Sequence, residues 1–233
     1  NEPTEKWRGQ TAFGINLDKQ SSLVYSLFTD VDVSYRIKDK SLLSASRLRV
    51  TGSGENLLLN GGFAHFRLRD NTGKLLLVEH YTQYQWDGVR GLKHRYIFGS
   101  NLRQRLQHDT LGSLYAGFGL FYEYEQWGFG AVPAGRRPTD LGNVNNSLLK
   151  FNVYMRFFRQ LAENLRFGST FYYQSRPEYF FSDFRLAGNF ELIFQVNRNF
   201  EFRLNYDGIY DTAPVVPIDK FYFTLTNRFV YRF

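Results

Sequence analysis

Apolar and polar side chains alternate along most of this chain, and the C-terminal segment shows the pattern most plainly. From Phe221 to Phe233 the alternation has one break, at Asn227. Phe221, Phe223, Leu225, Phe229, Tyr231 and Phe233 fall on one side of a strand, and Tyr222, Thr224, Thr226, Arg228, Val230 and Arg232 on the other. A soluble sheet would turn the aromatic side inward to a core. A strand in an outer-membrane barrel inverts this, with aromatics toward lipid and polar groups toward a wet lumen.

Phased on apolar residues alone, the same period predicts strands over 7–17, 22–37, 42–50, 57–69, 75–86, 92–106, 111–126, 147–159, 165–175, 184–196, 200–210 and 221–233. In that phase 25 charged strand residues point to the polar side, and only Arg159, at a strand end, points the other way. Unpatterned charges would split about evenly, so the two faces are chemically distinct. Most segments reach 11 residues, longer than the ~5–6 usual in soluble sheets and matching the ~9–11 that span a bilayer with tilt.

The connections alternate too. Short turns rich in Asn, Asp and Gly (38–40, 70–73, 108–109, 161–164, 197–199) take turns with mostly longer loops (51–56, 87–91, 127–146, 176–183, 211–220). Every proline lies outside the predicted strands, as ladder hydrogen bonding demands. The expected fold is therefore all-β: a transmembrane, antiparallel, up-and-down barrel of about twelve strands forming one domain over 1–233. Both termini would be periplasmic, with short turns on that side and long loops outside. Trp7, Tyr35, Phe157 and Tyr231 would belt the periplasmic interface. Trp86, Tyr122, Tyr124, Tyr173, Phe184, Tyr206 and Phe221 would belt the outer one.

Composition sharpens the picture. The 24 Phe and 16 Tyr in 233 residues exceed what a soluble core needs and suit two girdles, while a mean hydropathy of −0.40 is what alternation produces in a barrel. The absence of Cys excludes a disulfide scaffold and thiolate metal sites. The polar start, Asn1 to Lys6, has no apolar stretch of a signal peptide and reads as a mature chain after export. From the barrel pattern, the expected location is the outer membrane of a Gram-negative bacterium. A net charge of +7 raises nucleic acid as a partner, but the basic residues are spread singly over many strands with no nucleic-acid motif. Membrane lipids and lipopolysaccharide are the expected partners, with other outer-membrane proteins as further candidates.

The run from Glu79 to Gly99, with its Tyr84, Asp87, Gly91-Leu92, Arg95 and Gly99, resembles the salt-induced outer-membrane proteins, a bacterial barrel family of unknown function. Tyr210-Asp-Thr-Ala-Pro-Val-Val-Pro-Ile-Asp-Lys and the closing Val230-Tyr-Arg-Phe resemble that family's last loop and strand, although Pro214-Val-Val-Pro217 departs from the Pro-Pro-Gly expected there. The resemblance covers about the C-terminal two-thirds, implies the barrel fold, and brings no catalytic or binding residues.

The polar face carries seventeen basic and eight acidic residues. Strand direction puts Arg36, Arg67, Arg103, Arg105, Arg156, Arg166, Arg203 and Arg228 in the periplasmic half of the lumen. Asp30, Asp32 and Glu79 fall near mid-height, and Glu123 and Glu125 further out. An unbalanced ring of guanidinium groups predicts an anion-favouring passage. The alternative is a lumen plugged by ion pairs and by inward aromatics such as Phe28, Tyr81, Tyr115, Phe121, Tyr154 and Tyr172, in a structural or accessory subunit.

Lipid chemistry is the third reading. It centres on His80, a polar residue on the lipid face with Ala64 and Tyr96 as expected cross-strand neighbours. No serine is expected within reach to act as nucleophile, so His80 is read as a partner or lipid contact and the protein as a non-enzyme. Asp30 and Asp32 lack the third ligand a metal site needs, and no cofactor is expected. The loop 127–146 is expected to fold over the mouth or to meet a partner.

Overall fold

A computed structural model describes residues 6–19, 23–54, 56–70, 76–198 and 200–231. The side chains of Gln10, Ala12, Asp18 and residues 228–231 lie outside that description, as do Arg232 and Phe233.

Twelve strands account for nearly all of it: β1 (Trp7–Lys19), β2 (Leu23–Ile37), β3 (Lys40–Ser53), β4 (Asn56–Asp70), β5 (Leu76–Asp87), β6 (Leu92–His108), β7 (Gly112–Trp127), β8 (Val144–Ala162), β9 (Leu165–Ser175), β10 (Phe184–Gln195), β11 (Phe200–Asp211) and β12 (Phe221–Tyr231). They form one antiparallel sheet in chain order, so each strand pairs with its sequence neighbours and the fold class is the up-and-down β-barrel. Among the described residues no helix is long and apolar enough to cross a membrane.

The strands begin and end within a few residues of their expected limits. Several run on past the alternating pattern, most of all β8, which continues three residues beyond it at each end. Backbone pairing has no need of alternation, so a ladder can extend into polar loop sequence that the apolar period cannot reveal. The β2–β3 turn is correspondingly tight. Only Lys38 and Asp39 lie between the strands, and Lys38 takes φ 49°, the one positive φ at a non-glycine among the described residues.

The chain forms two compact units. Unit 1 comprises Asn1–Ser100, Phe121–Leu148 and Val215–Ile218; unit 2 comprises Asn101–Leu120, Leu149–Pro214 and Asp219–Phe233. In both, burial is inverted relative to a soluble protein. Phe13, Leu17 and Phe98 in unit 1 and Phe118, Phe223 and Leu225 in unit 2 are exposed, while Glu79, Glu125 and Glu201 have no exposed surface.

Each unit also packs aromatics on its polar face, and a glycine makes room in each. In unit 1, Tyr81, Ile97 and Phe121 cluster around Gly99, where an added Cβ would come within 2.6 Å of Phe121 and 2.8 Å of Tyr81. In unit 2, Tyr154 lies over Gly117 so closely that any side chain there would overlap its ring, and Tyr172 packs beside it at 5.7 Å.

The long loop shortens because β7 and β8 both extend, leaving residues 128–143 with one 3₁₀ turn at Ala134–Arg136. Its base is tied to the β5–β6 connection and to the start of β6. The Gly128 amide donates to the Gly91 carbonyl at 2.8 Å, and Lys93 Nζ donates to Asn143 Oδ1 at 2.8 Å. Within the loop Arg137 Nε donates to the Val132 carbonyl at 2.7 Å, and Val132 is 1% exposed.

Candidate functional site

Period-2 alternation places every second residue on the polar face, so the site is the set of charges that the register brings together there. In unit 1 the β4–β5 register sets Arg69 opposite Glu79. Arg69 Nε donates to Glu79 Oε1 at 2.6 Å and Arg67 Nη1 approaches Oε2 at 3.5 Å, so one fully buried carboxylate serves two guanidinium groups. Further along the same face Arg95 is held by two acids on β7. It pairs with Glu123, and its Nε lies 3.4 Å from Glu125 Oε1. Gln85 accepts from Arg95 Nη1 at 3.1 Å, and Trp127 Nε1 donates to Glu125 Oε2 at 3.3 Å. Asp30 lies 3.9 Å from Arg47. Arg36 sits exposed at the end of β2.

Unit 2 is built differently. Glu201 is buried between Arg166 Nη2 at 2.7 Å and Arg203 Nη2 at 2.9 Å. Arg103 is buried with its guanidinium 3.8 Å from the centre of the Tyr115 ring, a cation–π contact. Arg105 and Arg156 are exposed, and neither has a carboxylate partner among the described residues. Arg228 occupies the β12 position directly opposite Arg203, two like charges in register, and its side chain lies outside the described residues.

Arg159, the charge that the apolar phase put on the lipid side, is accounted for by the turn beside it. Its Nη1 lies 3.5 Å from Asp109 Oδ2. Asp109 Oδ1 accepts the amides of Leu111 and Gly112, each at 2.8 Å. The hydrogen bond from Leu111 is the main cause that holds the Asp109 carboxyl below its usual range.

His80 requires a correction. Its partner on β4 is Leu68, Ala64 pairs instead with Tyr84, and a serine is within reach: His80 Nδ1 and Ser100 Oγ are 2.7 Å apart. Hydrophobic period fixes which face a residue occupies, but sliding a strand by any even number of residues, here four, preserves the face, so the sequence cannot tell Ser100 from Tyr96 as a neighbour. The pair satisfies two polar groups on an apolar surface. Among the described residues no carboxylate pairs with the imidazole, the third group that a serine–histidine hydrolase uses. Sequence reasoning also missed Gln85 and Trp127 as partners of the Arg95 cluster, and Tyr115 as the platform for Arg103.

Strand order and two chemically opposed faces define an all-β protein of the up-and-down barrel class. The family model for "Protein of unknown function, DUF481" matches residues 26–233, and the chain belongs to that family. No curated protein matches it. A solved structure titled as a NanC porin in a rhombohedral crystal form aligns over 97% of this chain and 98% of that one, at 12% identity and a TM-score of 0.46.

Proposed function

We infer that the protein is an outer-membrane barrel of a Gram-negative bacterium, with its exposed apolar residues against lipid and lipopolysaccharide and its polar face lining a narrow interior that favours small anions. The inverted burial supports the membrane setting, since only a lipid solvent favours exposing Phe13, Phe98 and Phe223 while Glu79 and Glu201 are shielded. The observation that carries the anion preference lies in unit 2. Among the described residues the fully buried acid of that unit, Glu201, is already shared by Arg166 and Arg203, and the exposed Arg105 and Arg156 have no carboxylate partner. Confined positive charge of that kind lowers the barrier for anions and raises it for cations.

A second reading has its own support. Tyr81, Ile97 and Phe121 in unit 1, and Tyr154 and Tyr172 in unit 2, fill space on the polar face, as a non-conducting accessory subunit would need. One measurement separates the two. In planar bilayers the folded protein should pass current with a reversal potential on the anion side across a salt gradient, and Arg105→Gln with Arg156→Gln should move that potential toward cations. A folded protein that passes no current leaves the accessory reading in place. Cation preference in the wild type would transfer control to Asp30, Asp32, Glu79, Glu123 and Glu125.

A further inference from the structure

We propose that β1–β3 form a binding site for an amphipathic organic anion, a carboxylate or phosphate head on a short alkyl body. The inference rests on the barrel reading above and concerns residues of unit 1, none of them the arginines that carry the anion preference. Two cavities meet on the polar face there. The smaller, about 170 Å³, is lined by Lys6, Arg8, Ser34, Tyr35, Arg36 and Ser41 together with Leu43. The larger, about 380 Å³, shares Arg8, Ser34 and Leu43 and continues past Gly9, Val33, Ser44 and Ala45, with Asp32 on its wall. The smaller hollow is cationic with two serine hydroxyls, the larger is open and mostly apolar, and the larger alone is in the ~300–1,000 Å³ range of small-molecule pockets.

The geometry is fixed before any ligand arrives. β1 pairs with β2 so that Trp7 faces Tyr35 and Arg8 faces Ser34, and β2 pairs with β3 so that Arg36 faces Ser41 and Ser34 faces Leu43. The Arg36 amide donates to the Lys6 carbonyl at 2.8 Å, which carries the ladder up to the two cations. Trp7 packs on Tyr35 with ring centroids 4.2 Å apart, bracing the wall from the other face. Among the described lining residues Lys6, Arg8 and Arg36 outnumber Asp32, and both Lys6 and Arg36 are exposed. Charge-assisted hydrogen bonds from an ammonium and a guanidinium suit a carboxylate or phosphate oxygen. Leu43 and Ala45 then offer an apolar surface to whatever is attached to it. Lys6 was invisible as a site residue in the sequence, although its position two before Arg8 puts it on the same face.

The test titrates the full chain in phosphatidylcholine nanodiscs by calorimetry, with empty nanodiscs as reference. The probes are octanoate, octyl phosphate, octanol and acetate. One or both octyl anions should bind saturably at one per chain, and which of them is tighter identifies the head group. Octanol and acetate should bind at least about tenfold more weakly, since each lacks half of what the site offers. Lys6→Gln and Arg36→Gln should each weaken the octyl anion about tenfold, and Leu43→Gln should weaken it while leaving acetate unchanged. Heat-shifted gel mobility would show that each variant is folded. Octanol binding as well as the anions, acetate matching octanoate, or indifference to Lys6→Gln and Arg36→Gln would each overturn the proposal. Arg105→Gln with Arg156→Gln should leave octyl-anion binding intact. A shifted reversal potential without octyl-anion binding would therefore sink this site alone, and binding without any anion preference would sink only the channel reading.

Discussion

The two compact units share one strand chemistry and differ in how their charges are answered. In unit 1 the buried acids Glu79, Glu123 and Glu125 are matched to Arg67, Arg69 and Arg95, with Gln85 and Trp127 adding hydrogen bonds. In unit 2 Glu201 is matched twice, Arg103 rests on the face of Tyr115, and Arg105 and Arg156 keep their charge in the open. Paired charges stitch neighbouring strands together and contribute little field, whereas unpaired ones leave the strands free of that constraint and set the potential an ion meets. Stability should therefore be sensitive to buried paired acids such as Glu79, and the selectivity inferred above to the open arginines Arg105 and Arg156.

The sharpest way to break this contrast is to remove an acid. Glu79→Ala leaves Arg67 and Arg69, neighbours on one face of β4, without their shared carboxylate and should cost about 3–5 kcal/mol, read as a lower urea midpoint in lipid vesicles. Arg105→Gln should stay within about 0.5 kcal/mol of wild type in the same assay while changing the reversal potential. Equal losses in the two variants would erase the distinction between the units.

Substitutions on the apolar face should be indifferent to that distinction. Phe118→Arg places a charge where lipid is expected and should cost about 2–4 kcal/mol if it lies near the bilayer midplane, whereas Phe118→Leu should be nearly neutral. A small effect of the arginine would argue against a membrane setting for this face. Filling the aromatic niches comes next. Gly117→Val drives a side chain into Tyr154 and should cost about 1–3 kcal/mol, with Gly99→Val acting similarly against Tyr81 and Phe121.

Two turn variants give the smallest effects. Lys38→Gly relieves a left-handed backbone worth about 1–2 kcal/mol, less the conformational entropy glycine adds to the unfolded chain, so a gain below about 1 kcal/mol is expected in thermal unfolding. The Asp109 carboxyl is held below its usual value in the folded state, so its contribution is present above the unfolded-state pKa and lost as pH falls through the lower folded one. The acid limb of a stability–pH profile should thus flatten slightly in Asp109→Ala, and an unchanged limb would show that the turn contributes nothing there.

Much of this was legible in the sequence, for a definite reason. A strand's side chains alternate with a period of two, so parity alone assigned Phe98 and Phe118 to one face and Glu79, Arg103 and Arg166 to the other, and the proline-free alternating runs marked all twelve strands. Parity is blind to a shift by any even number of residues. Whether His80 meets Tyr96 or Ser100, whether Glu79 stands alone or serves Arg67 and Arg69, and which ring receives Arg103 are matters of stagger between strands, settled by pairing along their whole length and by the turns. The cavities of β1–β3 belong to the same class, because a hollow is the space that several registered strands leave unfilled together. The sequence determined the face of each residue through local backbone geometry. The tertiary structure alone decided its company, because that depends on how far each strand slides against the next.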